Sequence, residues 1–213
     1  LQALKTNFEG KETLRQWCLH KVPKYGNDVD RVDEIGREWI KYFNKKLSKY
    51  TNARGGPYHT GLYTVSAHVP MGEKVAATPD GRLSQAPLAD GGMSPVYGRD
   101  KKGPTAVLKS VSKVNSRLAS NGTLLNMKFS PRIFEAATDI DKFASFLKTF
   151  VKLNIHHVQF NVVRAEDLKD AQKNPEDYQG LTVRVAGYTA YFTELAQELQ
   201  DEIIARTSYG ERI

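Results

Sequence analysis

Few residues of this chain are both reactive and placed where reactivity could be used. Gly187 ends the run Leu181-Thr182-Val183-Arg184-Val185-Ala186, in which apolar Leu181, Val183 and Val185 alternate with Thr182, Arg184 and Ala186 as in a strand. A lone glycine there ordinarily supplies a turn of positive φ. This one has an arginine three residues before it and aromatic residues close behind it. The single cysteine, Cys18, could act as a nucleophile or a thiyl. Beside Trp17 and Leu19 in a helical patch it reads instead as a small hydrophobe. His156-His157 invites a metal, yet neighbouring strand residues face opposite ways and no Cys, Asp or Glu stands at ligand spacing. His59 and His68 fall on opposite faces by parity. The glycine-rich loops carry neither Gly-Lys-Ser nor G-x-G-x-x-G, so a phosphate cradle fails as well.

The elements that must position Gly187 follow from periodicity. Residues 28–50 predict a helix, with Val29, Val32, Trp39, Ile40, Phe43 and Leu47 on its apolar stripe and Asp28 or Asp30 as cap. Tyr58 through Val69 reads as a strand, with Thr60, Leu62 and Thr64 on one face and Tyr63 and Val65 on the other. Residues 72–132 are dense in turn chemistry but interspersed with apolar side chains, which predicts ordered loops. Asn121-Gly122 leading into Thr123–Phe129 reads as a hairpin turn plus strand. A helix over 139–153 should bury Ile140, Phe143, Leu147, Phe150 and Val151, with Asp139 as its cap. A strand follows at 156–163, where Val158, Phe160 and Val162 oppose Gln159, Asn161 and Val163. A short helix over 166–172 stops before Asn174-Pro175, and a closing helix runs over 192–207.

The wording Arg184-Val185-Ala186-Gly187-Tyr188-Thr189-Ala190-Tyr191-Phe192 resembles the radical-site signature of the glycyl radical enzymes. That family includes pyruvate formate-lyase, B12-independent diol dehydratases, choline, hydroxyproline and isethionate lyases, and arylacetate decarboxylases. Thr78-Pro79-Asp80-Gly81-Arg82, Asp90-Gly91-Gly92-Met93-Ser94-Pro95, Gly103-Pro104-Thr105-Ala106 and Asn121–Phe129 resemble the dehydratase and lyase branch more than pyruvate formate-lyase itself. The resemblance implies an α/β fold: part of a ten-stranded α/β barrel, ending the barrel domain over 1–71, then glycine-rich loops and the glycyl radical domain over 72–213. It makes Gly187 the radical carrier, on a loop buried inside a barrel yet able to swing out. A radical at an α-carbon is stabilised when the donating nitrogen and accepting carbonyl lie in one plane, and a side chain would resist that flattening. The resemblance further implies that no cofactor is bound and that a radical-SAM activating enzyme installs the radical, recognising Arg184, Val185, Ala186 and Tyr188. Thr60, Leu62 and Thr64 become the candidates for lining the substrate cavity.

In these enzymes the stored radical regenerates a thiyl on a cysteine in a facing loop, which the dehydratase branch writes Cys-x-Glu. Cys18 is followed by Leu19 and His20, so that motif is absent. The expectation is therefore a carboxy-terminal portion of a longer lyase or dehydratase, acting on a small molecule, homodimeric when whole. The alternatives are the decarboxylase or formate-lyase branch, or a spare-part radical domain that binds a damaged lyase. Composition sets the remaining bounds. In 213 residues, 40% are hydrophobic and 26% charged, as in ordinary soluble proteins. No apolar run approaches the roughly 20 residues of a membrane span, and one cysteine excludes an internal disulfide. The net charge of +7 comes from lysines and arginines scattered among acids, without a nucleic-acid recognition motif. The location implied is the cytoplasm, or a bacterial microcompartment, of an anaerobe.

Overall fold

Short apolar segments separated by breakers give a chain of many small elements. A computed structural model describes residues 1–210. In chain order they are α1 (Gln2–Lys5), α2 (Glu12–His20), α3 (Asp30–Leu47), α4 (His68–Glu73), α5 (Pro104–Lys113), β1 (Asn126–Phe129), α6 (Ala137–Lys152), β2 (Gln159–Val162), α7 (Ala165–Lys173), β3 (Thr182–Arg184), β4 (Thr189–Tyr191), α8 (Gln197–Ala205) and β5 (Ser208–Tyr209). Among the described residues no helix is long and apolar enough to cross a membrane.

Three strands form a parallel sheet in the order β2-β1-β5, with Asn126 opposite Gln159, Lys128 opposite Asn161, and Phe129 opposite both Val162 and Tyr209. Parallel neighbours need long crossovers, and α6 provides the one from β1 to β2. Because side chains alternate along a strand, the register gives the sheet two unlike faces. One carries Met127, Phe129 and Phe160. Phe129 lies within 5.4–5.9 Å of the rings of Phe143, Phe146, Phe160 and Tyr209, the edge-on and tilted geometries that aromatic quadrupoles favour. This core also takes Ile40 from α3 and Val107, Leu108 and Val111 from α5. The other face carries Asn126, Lys128, Gln159 and Asn161, all but one fully buried and all polar. A second core, of Leu168, Ala171, Val183, Val185, Phe192, Leu199 and Ile203, joins α7, α8 and the β3–β4 hairpin.

Several expectations are corrected. Residues 58–69 do not form a strand. A single parallel bridge joins Leu62 to Thr123, Val65 turns at φ +56°, and α4 begins at His68. The strand after Asn121-Gly122 has parallel partners, not a hairpin mate. Val29 occupies the cap of α3 without a side-chain bond, while Asp30 and Asp33 fill its first turn and Lys45 and Lys46 its last, matching the helix dipole. On that helix Ile40 is buried, but Trp39 and Phe43 stack on each other in solvent. On α6 the stripe shifts: Phe146 is buried and Phe143, Leu147 and Phe150 pack against the core, whereas Ile140 and Val151 are exposed. Asp139 is not the cap residue; from the first turn its carboxylate reaches back to accept from the Ala136 N–H at 3.0 Å. The closing helix starts late, at Gln197, after a 3₁₀ turn over Phe192–Glu194. Within 72–132 the loops are ordered and contain α5, which starts on Pro104 at a position where the missing N–H costs nothing.

Candidate functional site

The hairpin of β3 and β4 holds the stretch that the sequence singles out. Arg184 pairs with Thr189, and the Val185 N–H donates to the Tyr188 carbonyl at 2.9 Å, which leaves Ala186-Gly187 as the tip. Gly187 has φ +88°, a region L-residues avoid. A Cβ built there would meet only Leu124 Cδ1, at 3.4 Å, so backbone conformation and not crowding is what selects glycine.

The hairpin lies on the polar face of the parallel sheet and is fastened by side chains. Asn161 of β2 grips Arg184 both ways: its Oδ1 accepts from the Arg184 N–H at 2.7 Å, and its Nδ2 donates to the Arg184 carbonyl at 2.6 Å. The Gly187 N–H donates to Gln159 Oε1 at 3.0 Å. Gln159 Nε2 in turn donates to Asn126 Oδ1 on the neighbouring strand. Asn126 Nδ2 donates to the Asp90 carbonyl at 2.9 Å and the Val185 carbonyl at 3.4 Å, and its own N–H reaches Ser94 Oγ at 3.0 Å.

A buried ionic group anchors the same hairpin from α8. Arg206 Nη1 donates to the Val185 carbonyl at 2.8 Å and the Arg184 carbonyl at 3.3 Å. Its Nη2 donates to Glu202 Oε2 at 2.8 Å, and its Nε lies 3.1 Å from Asp90 Oδ2. His68 Nε2 lies 3.0 Å from the same oxygen, Glu202 Oε2. Burial pushes the Glu202 carboxyl up, but the contacts with His68 and Arg206 outweigh it and hold it below the usual range. For Asp90 burial wins, and its carboxyl is raised despite Arg206. Burial, with the Arg206 charge beside it, pulls Lys128 down to about 8. Lys128 has carbonyl partners only, donating to Ile203 at 3.2 Å and Ile204 at 2.8 Å at the carboxy end of α8.

The residues expected around Gly187 divide. Val185 and Ala186 are buried, whereas Arg184 and Tyr188 are half-exposed, with Arg184 Nη1 donating to Thr189 Oγ1 at 3.1 Å. Gly187 itself is exposed at the tip of the hairpin in this quarter-length chain. Thr60, Leu62 and Thr64 do not share a strand face. Thr60 Oγ1 donates to Asn44 Oδ1 at 3.2 Å and Thr64 Oγ1 to the Asp90 carbonyl at 2.8 Å, the same carbonyl that Asn126 uses. Only Leu62 lines a cavity, of about 230 Å³, with Tyr25, Trp39, Ile40, Met93 and Val114. Cys18 packs against a small cluster of Ala3, Phe8 and Ala77, far in kind from a reactive thiol. Among the described residues no group of three or more His, Cys, Asp or Glu is placed to hold a metal. Sequence reasoning missed Asn126, Gln159, Asn161, Arg206, Glu202 and Asp90. The available signal was two amides alternating on one strand at 159 and 161.

Two family models match: a glycine radical model over residues 89–193 and a pyruvate formate lyase-like model over residues 1–72. The chain belongs to the glycyl radical enzyme family. It is 41% identical to trans-4-hydroxy-L-proline dehydratase of Clostridioides difficile, over 97% of this chain and 26% of that protein. It is 42% identical to isethionate sulfite-lyase of Bilophila wadsworthia, over 99% and 25%. Superposed on the glycerol-bound B12-independent glycerol dehydratase of Clostridium butyricum it gives a TM-score of 0.94 at 44% identity, covering 99% of this chain and 26% of that one. The fold is thus part of the α/β barrel type of these enzymes. The chain spans about a quarter of the length of the relatives it matches.

Proposed function

We propose that this glycyl radical family chain is the radical-storing, carboxy-terminal portion of a dehydratase or carbon–heteroatom lyase, with Gly187 as the carrier. The observation that carries the reading is the tip of the hairpin: a glycine at φ +88°, free of crowding, with its amide pinned by Gln159, inside the stretch that the glycine radical model matches. A radical-SAM activating enzyme takes a hydrogen atom from Gly187 Cα onto its own carbon radical, so that one C–H bond breaks and one forms and the unpaired electron stays on the glycine. Val185 and Ala186 are buried while the hairpin is docked, so recognition of these two residues needs the hairpin drawn out.

A cysteine on an amino-terminal portion of the enzyme then gives its S–H hydrogen atom to Gly187 Cα, which re-forms the C–H bond and leaves a thiyl, and that thiyl takes hydrogen from the carbon beside a leaving group. The same portion has to cover Gly187, since solvent and oxygen quench an exposed radical. The substrate is a small molecule bearing a hydroxyl, amine or sulfonate; Leu62 is the one cavity candidate of the three that faces open space. The match to the pyruvate formate lyase-like model over residues 1–72 speaks against a stand-alone spare-part domain. Similarity to the indoleacetate decarboxylase of Tractidigestivibacter scatoligenes, 39% identical over 88% of this chain, keeps decarboxylation as the second reading. Anaerobic activation followed by electron paramagnetic resonance tests the assignment: a doublet is expected, lost in Gly187→Ala. A doublet that persists in that variant refutes it.

A further inference from the structure

We infer that Gln159 is a positioning residue for the stored radical: its amide oxygen holds the Gly187 N–H, the donor that strengthens when the radical forms. The inference rests on the proposed role of Gly187. Hydrogen-atom loss from Gly187 Cα leaves an unpaired electron shared with the carbonyl on one side and the nitrogen lone pair on the other. Sharing requires the peptide on the nitrogen side to come into the plane of the α-carbon, so φ at Gly187 has to turn from +88° toward the extended region as the radical forms, with the N–H held on Gln159. It also draws electron density from the nitrogen, so the N–H becomes a better donor and its bond to Gln159 Oε1 strengthens when the radical forms. An interaction stronger in the radical than in the parent glycine favours the radical selectively.

The geometry suits that task. The Gly187 N–H has one partner, Gln159 Oε1 at 3.0 Å. Gln159 is buried, and its Nε2 is committed to Asn126 Oδ1, which fixes which end of the amide faces the glycine. Asn126 is fixed by the Asp90 and Val185 carbonyls and, through its backbone, by Ser94. The Asp90 and Ser94 contacts lie outside the hairpin, so the acceptor is preorganised through Asn126 for the hairpin to dock onto. An amide is also the right group chemically. Its acceptor oxygen gets there, as a glutamate's would, whereas a hydroxyl on strand β2 would be too short to reach.

The test uses the parent, Gln159→Leu, which removes acceptor and donor at similar volume, and Gln159→Glu, which keeps an acceptor at the same reach. Hydrogen exchange at the Gly187 amide in unactivated protein reads the bond itself and does not depend on radical chemistry. Exchange is expected to be about tenfold faster in Gln159→Leu, the factor set by one neutral hydrogen bond, with protection regained in Gln159→Glu. Doublet decay and nitrogen hyperfine structure after anaerobic activation read the positioning. Decay is expected to be about tenfold faster and the hyperfine altered in Gln159→Leu, with Gln159→Glu restoring the parent pattern. Unchanged exchange in both variants overturns the contact. Faster exchange with identical decay and hyperfine in all three proteins overturns the positioning role. Should Gln159→Leu fail to fold, a Gln159→Glu doublet unlike the parent's overturns it equally. A parent that exchanges slowly but yields no doublet sinks the assignment of Gly187, and with it this inference.

Discussion

Arg206 is the residue whose loss the structure prices most clearly. Its guanidinium spans two jobs, gripping the Val185 and Arg184 carbonyls of the hairpin and neutralising Glu202 and Asp90. The three charged side chains are buried, with Asp90 at 7%, Glu202 at 3% and Arg206 at 6% exposure. In Arg206→Met the hydrophobic stem is kept, while two carboxylates are left in low dielectric with only His68 and Lys128 nearby. Breaking a buried pair by removing one partner costs about 3–5 kcal/mol, which at a urea m-value of about 2 kcal/mol/M lowers the midpoint by roughly 1.5–2.5 M. The deficit should shrink with acid. Without Arg206, burial raises the carboxyls' folded pKa above the unfolded value, and a group so raised stabilises the fold at low pH and loses that contribution as pH rises. The double variant Glu202→Gln, Arg206→Met should be less destabilised than Arg206→Met alone, because one uncompensated charge is gone. Urea titrations at pH 5.5 and 8, with limited proteolysis of residues 184–190, make the measurement. A midpoint within about 0.3 M of the parent at pH 8, near the scatter of such extrapolations, would show that the ionic group does not hold the hairpin.

Three further outcomes follow from the same coordinates. Lys128 sits near 8 through burial and the Arg206 charge, below the unfolded value of about 10.4, so the unfolded chain binds the extra proton and stability should climb between about pH 8 and 10 by up to ~1.4 kcal/mol per unit. Lys128→Met should remove that slope from the difference between the two unfolding curves. Gly92→Ala would drive a Cβ to 2.1 Å from the Leu62 carbonyl carbon and 2.3 Å from its oxygen, a backbone clash that should cost about 3 kcal/mol or more in thermal or urea unfolding. Asn161→Leu removes both bonds to the Arg184 backbone and should speed proteolysis of the hairpin while leaving the Phe129 ring cluster, read by near-ultraviolet circular dichroism, intact.

The helices and the glycine turn were legible because local pattern governs them. Pro104 followed by Val107, Leu108, Val111 and Val114 carried a helix signal too, but turn residues on either side masked it. The run from Tyr58 to Val69 misled because β-propensity records a fit to a pleated, half-buried surface, and here Val65 at positive φ turns the chain away after one bridge. The polar cradle was the least legible. Alternation showed that Gln159 and Asn161 share a face, but a polar face normally means solvent, and only the register with Asn126 and Lys128 shows that it is covered. Arg206 and Asp90 are 116 residues apart in sequence, which no local pattern can join.

How the hairpin is attached bears on what it is for. A strand joined to a sheet by backbone ladder bonds leaves only when the ladder unzips, and an exposed edge then invites other strands. Among the described residues β3 and β4 pair only with each other and form a sheet of their own. Their links to the three-stranded sheet are side-chain amides from β1 and β2, with Arg206 adding its grip from behind α8. Such bonds are worth about 0.5–3 kcal/mol each, the larger values for the charged donor, and they break one at a time. The apolar contacts of Val183 and Val185 are made to α7 and α8, not to the aromatic core around Phe129. On the role proposed for Gly187, a loop that is gripped closely while it stores an electron, and surrendered intact to another protein, is better fastened by such latches than woven into the sheet.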